Sequence, residues 1–189
     1  MPEARDYLPH FAPLLRYPGP ESARFAQQEA EALAEFPAVA ERLQRHAQWV
    51  AGLSRHEAEE AFTRTFDINP AVALEVGFHL FGLAYQRGQF LARVQQALVE
   101  HGMSSGTELP DHLPVLLELA PRLPQAIGVE LIEEAIHPAV AHMRGGFDPN
   151  QPGFGQPVLA LHDFLAAHFK CVIYQFDEEA TREGATSHA

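Results

Sequence analysis

Eleven of the 189 residues are histidines, so a metal site is the first chemistry to weigh. Two ligands on one helix must sit three or four residues apart. His137 and His142 are separated by five positions and His162 and His168 by six, so neither pair shares a helix face. No His-Glu-x-x-His and no repeated Glu-x-x-His occurs. Nucleophilic chemistry finds little support. Ser104, Ser105 and Thr107 lie in a loop-like stretch without a Gly-x-Ser-x-Gly elbow. Cys171, the single cysteine, falls in a helical pattern and is expected to be a small core residue rather than a reactive thiol. Gly145-Gly146 and Gly153-x-Gly155 do not follow a strand and open a helix, so neither cradles phosphate.

Two motifs remain. His162-Asp163 is an adjacent dyad of the kind used by helical metal-dependent phosphohydrolases. His112, His137 or His142 would then be an earlier ligand and Asp177 a later one, although Asp177 follows the dyad closely. An HD-type phosphohydrolase is kept as an alternative on that basis. The richer segment is Glu108-Leu109-Pro110-Asp111-His112-Leu113-Pro114-Val115-Leu116-Leu117-Glu118-Leu119. Asp111 is expected to cap a helix running from His112 to Ala120, with Pro114 in its first turn. Glu108, Asp111 and His112 would form a polar cluster beside an apolar surface of Leu113, Leu116 and Leu117. That is the build of a peptide-docking groove, with pockets for an amphipathic helix and acids at the rim for its cations.

The elements that must position these residues are helices. No alternating Val/Ile/Thr run and no Asn-Gly or Asp-Gly hairpin turn is present. Helical periodicity predicts helices over 21–36, with a stripe of Phe25, Ala26, Ala30, Leu33 and Ala34, and over 38–52 after Pro37. Ser54 and Glu57 form a capping box for a third helix, and Asn69-Pro70 a restart for a fourth. This fourth helix, 70–82, is apolar nearly all round and is expected to be central. Further helices are expected over 86–101 with Gly102 as C-cap, from Pro124 with a kink at Pro138, and over 158–176. The expected fold is all-α, one helical bundle of about eight or nine helices. It would span 1–177 around a Gly/Pro-rich loop at 145–157, with a polar, disordered tail at 178–189.

Composition narrows the partners. Asp and Glu number 25 against 13 Lys and Arg, a formal net charge of -12. Such a chain repels nucleic-acid backbones and anionic lipid and attracts a cationic amphipathic partner. One cysteine excludes an internal disulfide and fits a reducing compartment. No apolar run reaches the length of a bilayer span and no secretory signal is seen, so a soluble cytoplasmic protein is expected.

The 108–119 segment resembles the Glu-x-Pro-Asp-His signature of the helical chaperones that mature molybdenum-cofactor reductases, the TorD/DmsD/NarJ group, and in particular its NarJ branch. Thr65-Phe66-Asp67, Leu74, His79-Leu80-Phe81-Gly82 and Arg87-Gly88 are similar to a second block of that branch, and Leu14, Leu15, Tyr17 and Pro18 fit an early one. Leu83 and Tyr85 stand where the family often has an acid and an arginine. The resemblance implies a TorD-like fold and a non-catalytic chaperone with no stoichiometric cofactor. Such a protein binds the N-terminal peptide of the apo catalytic subunit of respiratory nitrate reductase, keeps it open to molybdenum cofactor insertion, and delays its membrane attachment. A dimethyl sulfoxide or trimethylamine oxide reductase is the alternative client. Carried onto this chain, Glu108, Pro110, Asp111, His112, Leu113, Leu116 and Leu117 would lie at the peptide-binding region, with Phe78, His79, Phe81 and Arg87 on neighbouring helices. A histidine there would make peptide release depend on pH near neutrality, and Asp111→Ala would abolish binding with a nearly intact melting temperature.

Overall fold

The N-terminal end sets the first surprise. In the structure, a computed structural model that describes residues 3–173, Ala4–Leu15 is a long 3-10 helix. Pro9 and Pro13 break α-helical bonding there, and a three-residue turn places Leu8, Phe11 and Leu14 on one edge, all buried. No helix was expected in this stretch, yet the spacing of those three residues carries the signal. Nine α-helices follow among the described residues, with no strands. They are α1 (Ser22–Ala32), α2 (Pro37–Ala51), α3 (Arg55–Phe62), α4 (Val76–Phe81), α5 (Tyr85–Glu100), α6 (Leu113–Leu119), α7 (Gln125–Leu131), α8 (His137–Arg144) and α9 (Gly155–His168).

Several local rules act as expected. Ser54 and Glu57 bond reciprocally at the start of α3, and Asn69 Oδ1 accepts from the Ala71 N–H. Gly102, with φ of 65°, closes α5. Others yield to tertiary structure. The stripe of α1 is narrower than expected: Ala26, Ala30 and Leu33 are buried, whereas Phe25 is exposed beneath the Arg24 guanidinium and Ala34 is exposed. The anticipated 70–82 helix is split into a 3-10 turn, Pro70–Val72, and α4. Between them the backbone is extended and pairs with the 111–113 segment: Val76 N–H donates to Asp111 O at 2.9 Å and Leu113 N–H to Leu74 O at 2.7 Å.

The central helix is therefore α6, not the 70–82 segment. Leu113, Leu116 and Leu117 are fully buried, and Leu119 nearly so, packed on the Ala4–Leu15 helix. Each leucine contributes roughly 1.5–3 kcal/mol by its burial. Of this helix, Glu118 reaches the surface, where it pairs with Arg16 at 2.9 Å.

Pro138 acts one turn ahead of itself. The helix from Gln125 to Arg144 contains a π turn, Ile132–Ile136, in which His137 N–H bonds to Ile132 O. In that register the next donor would be residue 138, and proline has none, so Glu133 O is left open. The N–H of Val172 fills it at 3.0 Å, while Lys170 N–H reaches Glu133 Oε1 at 3.0 Å. This explains why the last helix stops at His168 instead of running through 176. Residues 169–173 leave as an extended strap along the π turn, and Cys171 is exposed rather than in the core. Phe176, Asp177 and the 178–189 tail lie outside the described residues. The Gly/Pro loop is shorter than expected because α9 already begins at Gly155. It is tied down by Gln156, whose amide donates to Pro149 O and Gln151 O.

Candidate functional site

Asp111 does not cap α6. Its side chain is fully enclosed, and Oδ2 accepts from the Gly77 N–H at 3.0 Å, at the start of α4. Arg87 of α5 brings Nε and Nη2 to 3.5 Å from the same oxygen. One buried carboxylate thus fastens α4 and α5 to the loop before α6. Burial pushes the Asp111 carboxyl up, against the pull of Arg87 and the Gly77 N–H. Gly77 is required here, because a Cβ would stand 2.7 Å from Asp111 Oδ2 and 3.0 Å from Phe90 Cδ1. His112 takes the N-cap position of α6 without a side-chain cap bond and is 7% exposed. Burial lowers its pKa, against the pull of the Glu108 carboxylate, and so favours the neutral ring.

Leu113, Leu116 and Leu117 do not form a surface either. They close the core, and the apolar wall assigned to them must come from elsewhere. It does, because α4 separates two hollows. On one side is an acidic hollow of 620 Å³, lined among others by Asp67, Glu75, Phe78, Arg87, Glu108 and His112. Exposed Leu109 also lines it, and half-buried Pro110 stiffens the turn beside it. Burial first, then the charges of Asp111 and Glu108, raises the Glu75 carboxyl. On the other side is a larger apolar hollow of 810 Å³, where His79, Phe81, Phe90, Ile127, Leu131 and Pro138 meet the end of the strap at Val172 and Ile173. His79 Nε2 donates to Ala73 O at 2.7 Å, and its ring lies 5.1 Å from that of His142.

The expected site residues are therefore distributed. Glu108, His112, Phe78 and Arg87 come together at the acidic hollow, His79 and Phe81 at the apolar one, and Asp111 pins the wall between them. Sequence reasoning missed Glu75 and Asp67 and the whole α7 wall. Glu75 had a signal: it is the one carboxylate in the apolar run from Ala71 to Phe81.

The phosphohydrolase dyad has another employment. Asp163 Oδ2 accepts from Arg42 Nε at 2.7 Å, which ties α9 to α2. No group of three or more His, Cys, Asp or Glu among the described residues is placed to hold a metal ion.

Residues 24–145 match the family described as nitrate reductase delta subunit. The chain belongs to that family. Over 79 residues, 41% of this chain, it is 33% identical to the nitrate reductase molybdenum cofactor assembly chaperone NarJ of Escherichia coli strain K12. The protein of the same name from strain O157:H7 matches to the same extent. The aligned stretch covers 34% of those relatives' own length. The family match takes in α4 to α8, and hence the shared wall of both hollows, but ends before α9 and the strap.

Proposed function

We propose that this chain is an assembly chaperone of a nitrate reductase, acting in the cytoplasm on the catalytic subunit before the molybdenum cofactor is inserted. It holds the leading segment of that subunit as an amphipathic helix, catalyses no reaction, and keeps no cofactor or metal of its own. The observation that carries this reading is the pair of hollows flanking α4, one apolar and one acidic, on a domain whose core is otherwise closed. An amphipathic helix with a basic face matches both at once. The net charge of -12 would speed and orient its approach. Membership of the nitrate reductase delta subunit family names the enzyme system. No helix among the described residues is long and apolar enough to cross a membrane.

The test is capture. The tagged chain, expressed in its own host, is expected to retain the catalytic subunit of a nitrate reductase in its cofactor-free form and to release it once that subunit's N-terminal segment is deleted. Recovery of cofactor-replete nitrate reductase in normal amount from cells lacking the chain would overturn the proposal.

A further inference from the structure

Three buried polar atoms have no hydrogen-bond partner among the described residues: His112 Nδ1 and Arg87 Nε, on residues that line the acidic hollow, and Oδ1 of Asp111, the ion-pair partner of Arg87. Buried polar atoms are nearly always paired, so such a concentration calls for an explanation. Arg87 Nε is a donor that stands against Asp111, with which it forms an ion pair. The other two can accept, His112 Nδ1 in the tautomer that carries its proton on Nε2. His112 lines the hollow and is more than nine-tenths buried. Asp67, Glu75 and Glu108 line it too, and the cation of Arg87 is matched by Asp111 behind it. The hollow therefore carries an excess of negative charge, and one of the residues lining it, His112, holds an unpartnered ring nitrogen.

The rest of the lining says which cation fits. Tyr17, Phe62, Phe66 and Phe78 supply ring surface, and Tyr17 and Phe62 already pack edge to face at 5.5 Å. A guanidinium is planar, stacks on rings, and bridges two carboxylates, whereas an ammonium is a strongly hydrated point charge. Arg87 shows the mode within this chain, its Cζ lying 5.8 Å from the centre of the Phe78 ring.

We propose that the acidic hollow is a receptor for one arginine side chain, gripped by Glu75 and Glu108 with His112 accepting. That this arginine belongs to the leading segment of the held subunit rests on the chaperone reading above; the receptor itself does not.

The probe is Nα-acetyl-L-arginine amide, titrated into the whole 189-residue chain while backbone amide resonances are followed. Saturable shifts are expected at Val76, Leu109 and His112, and none from the uncharged citrulline analogue. The Glu75→Gln, Glu108→Gln double variant, checked for an unchanged melting temperature, is expected to bind the probe about tenfold more weakly. Equal binding of the citrulline analogue, or full binding by the double variant, would overturn the receptor. The same exchange of arginine for citrulline in the captured subunit's N-terminal peptide is expected to weaken it about tenfold. If the amide binds but the peptide is indifferent, the assignment to the held segment is wrong and the chaperone reading stands. If the amide binds and no nitrate reductase subunit is captured, the chaperone reading fails and the receptor stands.

Discussion

The two hollows share one wall and little else. On the α5–α7 side the lining is aliphatic and aromatic, with charge confined to a few residues such as Arg93, Glu130 and Glu134. On the α6 side three carboxylates and an arginine crowd a smaller space. The wall is α4, six residues long, too short to be helical by itself. Phe78 faces one hollow, and His79, Leu80 and Phe81 face the other. Chemically distinct compartments thus depend on one short helix, held by Asp111 and by the backbone pairing of Val76. The signature segment supplies both the fastener of that wall, Asp111, and two residues of the acidic lining, Glu108 and His112.

Removing the fastener should have the largest effect. Asp111→Ala leaves the Gly77 N–H unpaired and the largely buried Arg87 without its partner. Breaking a buried pair from one side costs about 3–5 kcal/mol. Urea unfolding at neutral pH is expected to show a loss of that order, with the arginine probe and the peptide both weakened because both hollows lose their wall. This reverses the expectation drawn from sequence, in which binding failed while the melting temperature held. A loss below about 1 kcal/mol would mean that the wall stands on packing alone.

A second experiment reads a buried group that lines neither hollow. His46 on α2 is buried against Phe154 and Trp49, its Nδ1 lies 3.2 Å from Gly153 O, and burial lowers its pKa to about 4. Its ordinary value is 6.5, so the unfolded chain takes up a proton that the folded chain refuses. The contribution of this residue to stability is therefore full above pH 6.5 and declines as pH falls towards 4, by up to about 3 kcal/mol. Urea unfolding at intervals across that window, compared with His46→Gln, is expected to show a steeper acid decline in the parent chain. Parallel curves would assign the acid sensitivity to another group, with His112 beside the acidic hollow the first to examine.

What could be read from the sequence divides along the same line. Caps and periodicity placed α2, α3 and α5 well, because Ser54, Pro37 and the Val94–Leu98 spacing act within one helix. The failures are non-local. Nothing near Leu74 announces that it will pair with Leu113, and so the split of 70–82 was invisible. Pro138 signalled a kink, but not that the carbonyl it frees would receive residue 172 from the end of α9 and draw Cys171 out of the core. The candidate site suffered most. Asp111 and His112 carry the types of a binding pair, yet burial turned one into a pin and lowered the pKa of the other. The apolar wall lies on α5 and α7, and no motif marked it; its Ile127 is 50% exposed.

That exposed isoleucine offers the finest cut between the hollows. It lines the apolar one, stands on a helix distant in sequence from Asp111, and has half its surface in solvent. Ile127→Asp should therefore change stability by no more than about 0.5 kcal/mol. A carboxylate there faces the apolar side of a bound helix, and desolvating it should lower the affinity of the subunit's N-terminal peptide about tenfold. The arginine probe should bind as before, since the substitution touches neither Glu75 nor Glu108. Calorimetric titration of both ligands against the same variant reads the two compartments separately. A parallel loss of both would mean that α4 transmits strain from one hollow to the other, making them a single binding unit. An unchanged peptide affinity would mean that the peptide contacts the acidic hollow alone. The division of labour therefore rests on one ligand weakening while the other does not.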